Sequence, residues 1–185
     1  HHGTFRHEQG DATLSSEQGW QMDASYQLKY GRLSLYVSPF VNWFSNYIFL
    51  RPTGEWSVLP HTGQIYRYTQ TEALFAGTEA GAEVRISSAF SYRISGEYVY
   101  TYNCDEHIPL SFSPPATLHN TLTWQKKRYM LYAEWQNIAR QNRVDRNEDR
   151  TPGTNLFHIG GSLDLPVAGN KVEITLTVRN IFNTR

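Results

Sequence analysis

The sequence predicts an all-β chain, an antiparallel up-and-down meander of about eight strands taken from the wall of a transmembrane barrel. Three observations predict it. Apolar and polar residues alternate over runs longer than a soluble sheet needs, the connections between runs alternate short and long, and the apolar face of the runs carries no charge.

The first run, WQMDASYQLKY from Trp20 to Tyr30, sets the pattern: small or apolar residues at even positions, polar or charged ones at odd positions. Alternation of this kind puts one class of side chain on each face of a strand. At about 3.3 Å per residue and a tilt near 45°, eleven residues cross roughly 25 Å, the height of the apolar band of an outer-membrane barrel. The same reading continues along the chain and gives strands at 17–30, 33–48, 64–86, 89–102, 116–125, 128–138, 155–165 and 171–182. The short connections are Gly31-Arg32, Ser87-Ser88, Lys126-Lys127 and 167–170; the long ones lie around 49–63, 103–115 and 139–154. All long connections therefore share one end of the sheet, as in barrels with short periplasmic turns and long extracellular loops.

Charge separates the faces. Trp20, Met22, Ala24, Tyr26, Leu28 and Tyr30 on the first strand match Leu33, Leu35, Val37, Pro39, Val41 and Trp43 on the second. The set continues through Ala76 to Ile86, Phe90 to Tyr102, Tyr129 to Trp135, Phe157 to Leu165 and Val172 to Val178 at every second residue. The opposite face holds Asp23, Lys29, Glu79, Glu83, Arg85, Arg93, Glu97, Glu134, Glu173 and Arg179. A lipid-facing Arg or Lys near the bilayer midplane costs about 2–4 kcal/mol, so a membrane enforces such a division. Aromatic residues fall in two belts, Trp20, Trp43 and Tyr98 to Tyr102 toward the long loops, and Phe90, Tyr92, Trp124 and Tyr129 by the short turns. A soluble β-barrel or sandwich binding an apolar ligand is the alternative, with the same face buried, and a purely structural or adhesive barrel is a third.

Composition excludes other classes. Seventeen basic and seventeen acidic residues leave no basic patch, so no nucleic-acid partner is expected. No apolar run reaches the length of a membrane helix. The single cysteine, Cys104, forbids an internal disulfide. Neither a Gly-x-Ser-x-Gly elbow nor a His-Glu-x-x-His pair occurs, and His119 and His158 have no orienting acid at a recognisable spacing, so no enzymatic activity is expected. The absence of a starting Met, and an ending VRNIFNTR read as lacking a turn signal, lead to the expectation of a fragment.

Several segments carry a resemblance to a known family. HHGTFRHEQGD with its continuation to Glu17 resembles an extracellular segment of the TonB-dependent outer-membrane receptors; Gly10, Asp11, Leu14 and Glu17 match, and Ala12 and Ser16 stand where that family has prolines. FAGTEAGAEVRI resembles a small-residue strand of the same family, NRVDRNEDRTPGTNLFHIG its late charged loop and strand, and VRNIFNTR the ending of a late strand. The resemblance implies that residues 1–185 are one partial domain of a 22-stranded barrel, with the plug domain and the TonB-contacting amino-terminal region outside this chain. It implies a place in the bacterial outer membrane, contact with its lipid, no intrinsic cofactor, and TonB-driven import of a scarce small molecule or metal chelate such as a ferric siderophore, haem or cobalamin.

Ligand-binding candidates lie in the segments expected to be extracellular: His2, the cation of the Phe5-Arg6 pair, His7 and Glu8 at the start, Trp56 and His61 in the first long loop, Cys104, Asp105 and His107 in the second, and Arg143 and Arg146 in the third. Thiolate, imidazole and carboxylate groups suit a metal complex, although four consecutive residues such as CDEH seldom converge on one ion, so no protein-held metal is expected. Arginines suit the oxygens of a siderophore or phosphate, and Trp56 and His61 suit stacking on a planar ligand. Asp145, Glu148 and Asp149 are expected to neutralise the arginines of their own loop, and Glu79, Glu83, Arg85, Arg93 and Glu97 to form a charge ladder on the lumen wall.

Overall fold

The structure, a computed structural model, describes residues 6–167 and 170–184. Among the described residues there are ten strands and no helix: β1 His7–Gln9, β2 Gln18–Asp23, β3 Tyr26–Tyr30, β4 Leu33–Trp56, β5 Gln64–Arg85, β6 Phe90–Asn103, β7 Thr117–Lys126, β8 Tyr129–Ile138, β9 Thr154–Val167 and β10 Asn170–Val178. From β4 to β10 each strand pairs antiparallel with the next, while β2 and β3 both pair with β4, giving one open meander.

The expected first strand, 17–30, is one ribbon with a gap. Asp23 faces Phe40 and Tyr26 faces Val37, so the register does not slip between β2 and β3. The gap falls opposite Pro39: the Ala24 amide donates to the Pro39 carbonyl at 3.1 Å, and proline has no N–H to return. Counted as one, β2 and β3 bring the meander to the eight strands expected.

Three boundaries differ from the sequence reading. The loop expected at 49–63 is mostly ladder, because β4 continues to Trp56, which pairs with Gln64, and only 57–63 turn. Pro52, Thr53 and Gly54 read as loop residues; instead a register shift between Pro52 and Trp56 absorbs Gly54 at φ 80°, and the Thr53 hydroxyl donates to the Ile65 carbonyl. The last strand stops at Val178 rather than 182, and VRNIFNTR does hold a turn signal: Asn180 and Asn183 take φ of 50° and 51°, conformations asparagine tolerates better than most residues. There the Ile181 amide donates to the Phe157 carbonyl and Phe182 meets the Phe157 ring edge-on at 5.2 Å. Finally, β1 is an unexpected parallel addition, His7 to Gln9 running beside Ile65 to Arg67.

The register joins the uncharged sets into one face. One row runs Leu28, Leu35, Ala82, Ile94, Asn120, Trp135 and Phe157; the next runs Tyr26, Val37, Ala80, Gly96 and Leu118. Asn120 is a polar exception, and its carbonyl accepts the Tyr92 hydroxyl at 2.6 Å. Large apolar side chains on this face are exposed, Trp20 at 54% and Leu176 at 72%, whereas the fully packed apolar residues Phe49, Ala73 and Leu110 lie on the other face at the long-loop end. A water-soluble barrel has the reverse polarity.

Candidate functional site

One inserted residue organises the long-loop end. Phe44 pairs with Ala73 but Tyr47 pairs with Thr71, so β4 carries a bulge, with Asn46 at φ 57°. Below the bulge the even residues of β4 face the interior; above it the odd ones do. Tyr47, Phe49 and Arg51 are thereby turned inward. Phe49, Ala73 and Leu110 pack there with Phe44, Tyr47 and Phe75, Tyr47 meeting Phe75 edge-on at 4.9 Å and stacking on Phe49 at 6.3 Å.

Arg51 stands on this aromatic floor, its guanidinium 4.9 Å from the Phe49 ring centre. It donates to both oxygens of Asp145 at 2.8 and 3.2 Å and to Glu106 at 2.6 Å. Burial alone weakens the charge on Arg51, but these carboxylates more than offset it and raise its pKa. Asp145, 4% exposed, also accepts the Ser111 hydroxyl at 2.5 Å. Glu148 accepts the amides of Asp145 and Phe112 at 3.0 and 2.9 Å. Strand β4, the 104–116 loop and the 139–153 loop thus meet at one guanidinium.

The candidate residues separate into several groups. His2 and Phe5 lie outside the described residues. Arg6 lies against the stacked pair Tyr66 and Phe112, 5.2 and 5.0 Å from their ring centres. His7 bonds the Ser57 hydroxyl at 2.8 Å, and Glu8 accepts the Tyr68 hydroxyl at 3.1 Å, so β1 is fastened to the β4-β5 hairpin. Trp56, 79% exposed, and His61, also exposed, stand at the hairpin's tip.

Cys104, Asp105 and His107 do not share a focus. Burial pushes the Cys104 thiol up, away from a reactive thiolate. Asp105 accepts the Glu72 amide at 2.9 Å and the Thr71 hydroxyl at 2.8 Å, which hold its carboxyl below the usual carboxylate range. His107 approaches the Tyr102 hydroxyl at 3.2 Å. Among the described residues, no three His, Cys, Asp or Glu side chains gather as a metal-holding group. In the third loop the acids reach beyond their own segment: Asp145 holds Arg51, and Arg146 lies 3.1 Å from Glu106. Arg143 leaves the interior altogether, with its guanidinium 4.0 Å from the Tyr100 ring centre.

Farther down the interior, Glu79, Arg93, Ser95, Glu97, His119, Thr121 and Glu134 line a cleft of about 330 Å³. Arg93 pairs with Glu83, and the Tyr36 hydroxyl donates to Glu79 at 3.0 Å. His119 does have a carboxylate partner, Glu134, at 3.3 Å; the pair lies across the β7-β8 ladder, 15 residues apart, a separation that spacing rules for local motifs do not capture. Among the described residues no serine hydrogen-bonds to His119.

The model of the family described as TonB dependent receptor-like, beta-barrel matches residues 1–181. No curated protein sequence matches. The fold is similar to that of the copper transporter OprC, with a TM-score of 0.79 and 20% identity over 94% of this chain and 26% of that one. It is also similar to a mutant of the ferric enterobactin receptor PfeA of Pseudomonas aeruginosa, TM-score 0.69, 18% identity, covering 99% and 29%, and to the FrpB iron transporter of Neisseria meningitidis, TM-score 0.61, 13% identity, covering 96% and 29%. The chain spans less than a third of the length of these structures, and at such identities the likeness concerns the fold.

Proposed function

The chain belongs to the TonB-dependent receptor-like β-barrel family, and from that premise we propose that it forms part of a bacterial outer-membrane transporter that captures a scarce solute and imports it with energy delivered by TonB. The solute class is a small metal complex, a ferric siderophore, haem, cobalamin or a copper chelate. No catalysis and no resident cofactor are needed for this role; the plug and the TonB-contacting region belong to the remainder of the protein.

One observation carries the reading: an uncharged, exposed face on one side of the sheet and, on the other, a charge-lined wall whose long-loop end is held together by Arg51. Interior charge and exterior hydrocarbon suit a solute path through lipid. Of the exposed candidate residues, Trp56, His61 and Arg146 stand at the long-loop end, while Glu8 and Asp105, with the half-buried His7, are engaged in holding the loops. Ligand capture is therefore assigned to Trp56, His61 and Arg146, and loop support to His7, Glu8 and Asp105.

The test is growth of a deletion strain on defined iron-siderophore, haem, cobalamin and copper sources, with complementation by the full-length gene. A defect on one source, restored by complementation, is expected. Unchanged growth and unchanged uptake on every source would overturn the reading.

A further inference from the structure

Arg143 is a candidate cation seated against the uncharged face. Tyr100 and Tyr102 belong to that face: Tyr102 continues the row Trp20, Trp43, Leu74, and Tyr100 pairs with Ala76. Their rings stack at 5.9 Å, His107 extends the stack from Tyr102 at 6.2 Å, and the Arg143 guanidinium caps Tyr100. The arrangement is built by the backbone. β6 outruns β7 here, which leaves the Thr101 carbonyl at an open edge, and Arg143 donates to it at 3.3 Å. Gln141 accepts the Arg143 amide at 2.9 Å and forms a two-way backbone bridge with Thr151, which closes the base of the loop. The nearby acid Asp105 is occupied by Thr71 and Glu72.

Tyrosines on the lipid side at the long-loop end stand at headgroup height, where a ring meets acyl chains and a hydroxyl meets the polar layer. Among the described residues the Arg143 guanidinium has a single hydrogen-bond acceptor, which leaves most of its N–H groups for an anion. Solute passing through the interior has no use for a cation on the outside. We propose that Arg143, with Tyr100, Tyr102 and His107, forms an exterior clamp for a phosphate of an anionic glycolipid in the outer leaflet. The inference rests on the lipid-facing reading of this face.

The test uses the full-length protein, stripped in a neutral detergent and titrated with a bisphosphorylated acyl-glucosamine disaccharide or with the same lipid after removal of both phosphates, bound lipid being counted by native mass spectrometry. The phosphorylated lipid is expected to be retained, with Arg143→Gln weakening retention about tenfold, Arg143→Lys less, and the dephosphorylated lipid failing to compete. Equal retention of both lipids, or by wild type and Arg143→Gln, overturns the clamp. Arg143→Gln is checked for unchanged heat-modifiable mobility. A probe at Ala82, on the same face away from the loops, reports lipid contact independently, so a failed clamp on a lipid-facing wall is distinguished from a wall that does not face lipid.

Discussion

Arg51 grips Asp145, 94 residues farther along the chain, through two N–H groups at 2.8 and 3.2 Å. Asp145 is almost wholly buried, so removing its charge leaves an arginine with only Glu106 to face. Asp145→Asn is expected to destabilise the packed loops by about 2 kcal/mol, the scale of a hydrogen bond to a charged group. Replacing both partners with apolar residues, Arg51→Met with Asp145→Leu, is expected to cost less than the single change, because no unpaired charge remains buried. Denaturant titration of the parent and the two variants measures this, and a double variant worse than Asp145→Asn would refute it.

The bulge at Asn46 gives a backbone prediction. Its φ of 57° suits asparagine or glycine and opposes a β-branched residue. Asn46→Gly is expected to leave stability nearly unchanged and Asn46→Val to cost about 1–2 kcal/mol. Deleting Asn46 is expected to do more: Phe49 and Arg51 would change faces and the loops would lose their anchor. Protease nicking within 139–153, absent in the parent and rapid in the deletion, would report it.

These two cases mark where the sequence ceased to be legible. Alternation in 20–30 and its matching sets identified the strands and their faces because period two and the cost of charge in lipid act locally on every residue. The bulge escaped because one inserted residue reverses parity without altering composition. Arg51 went unnoticed for the same reason: without knowledge of Asn46 it stands in an apparent loop, and its carboxylates come from two distant loops. Asp145 was expected to neutralise its own loop, yet it is turned toward β4. The parallel β1 has no alternation long enough to announce it, since three residues cannot establish a period.

Two interior glycines accept rings that a methyl group would displace. A Cβ on Gly77 would meet the Tyr98 carbonyl at 2.5 Å and the Phe40 ring at 2.7 Å; on Gly81 its three nearest atoms would all belong to the Tyr36 side chain, the first at 2.5 Å. A side chain can move and a ladder carbonyl cannot. Gly77→Ala is therefore expected to cost more than Gly81→Ala, both within about 1–3 kcal/mol. Gly81→Ala is also expected to break the Tyr36 bond to Glu79. Unfolding from vesicles in urea gives the ranking; the reverse order would contradict it.

Acid should loosen the second loop at Asp105. The Glu72 amide and the Thr71 hydroxyl hold its folded pKa below the reference value of 3.8. A depressed carboxylate contributes stability that is fully present above the unfolded pKa and is lost as pH falls through the folded one. Hydrogen exchange at the Glu72 amide is expected to be protected at pH 5 to 8 and to lose protection only below about pH 4, once corrected for intrinsic exchange. In Asp105→Asn that acid transition should disappear. A transition near neutrality, or one unchanged in the variant, would show that Asp105 is not its source.

Tryptophan reports which medium touches the uncharged face. Trp20 and Trp43 are directly paired on β2 and β4, on the exposed apolar side toward the long loops, whereas Trp56 ends the projecting hairpin. Ring nitrogens at the headgroup boundary and ring bodies in hydrocarbon suit the first two. In single-tryptophan versions of the full-length protein in vesicles, lipids brominated near the carbonyl are expected to quench Trp20 and Trp43 more strongly than lipids brominated at the chain end. Trp56 should respond to neither and should be quenched by aqueous iodide. If this face were packed against protein, neither bromolipid would reach Trp43. The depth profile matters as much as the contact, because two adjacent rings quenched equally from both depths would place them at mid-bilayer, too deep for Tyr102 in the same row, or Tyr100 one pair nearer the short turns, to meet a headgroup.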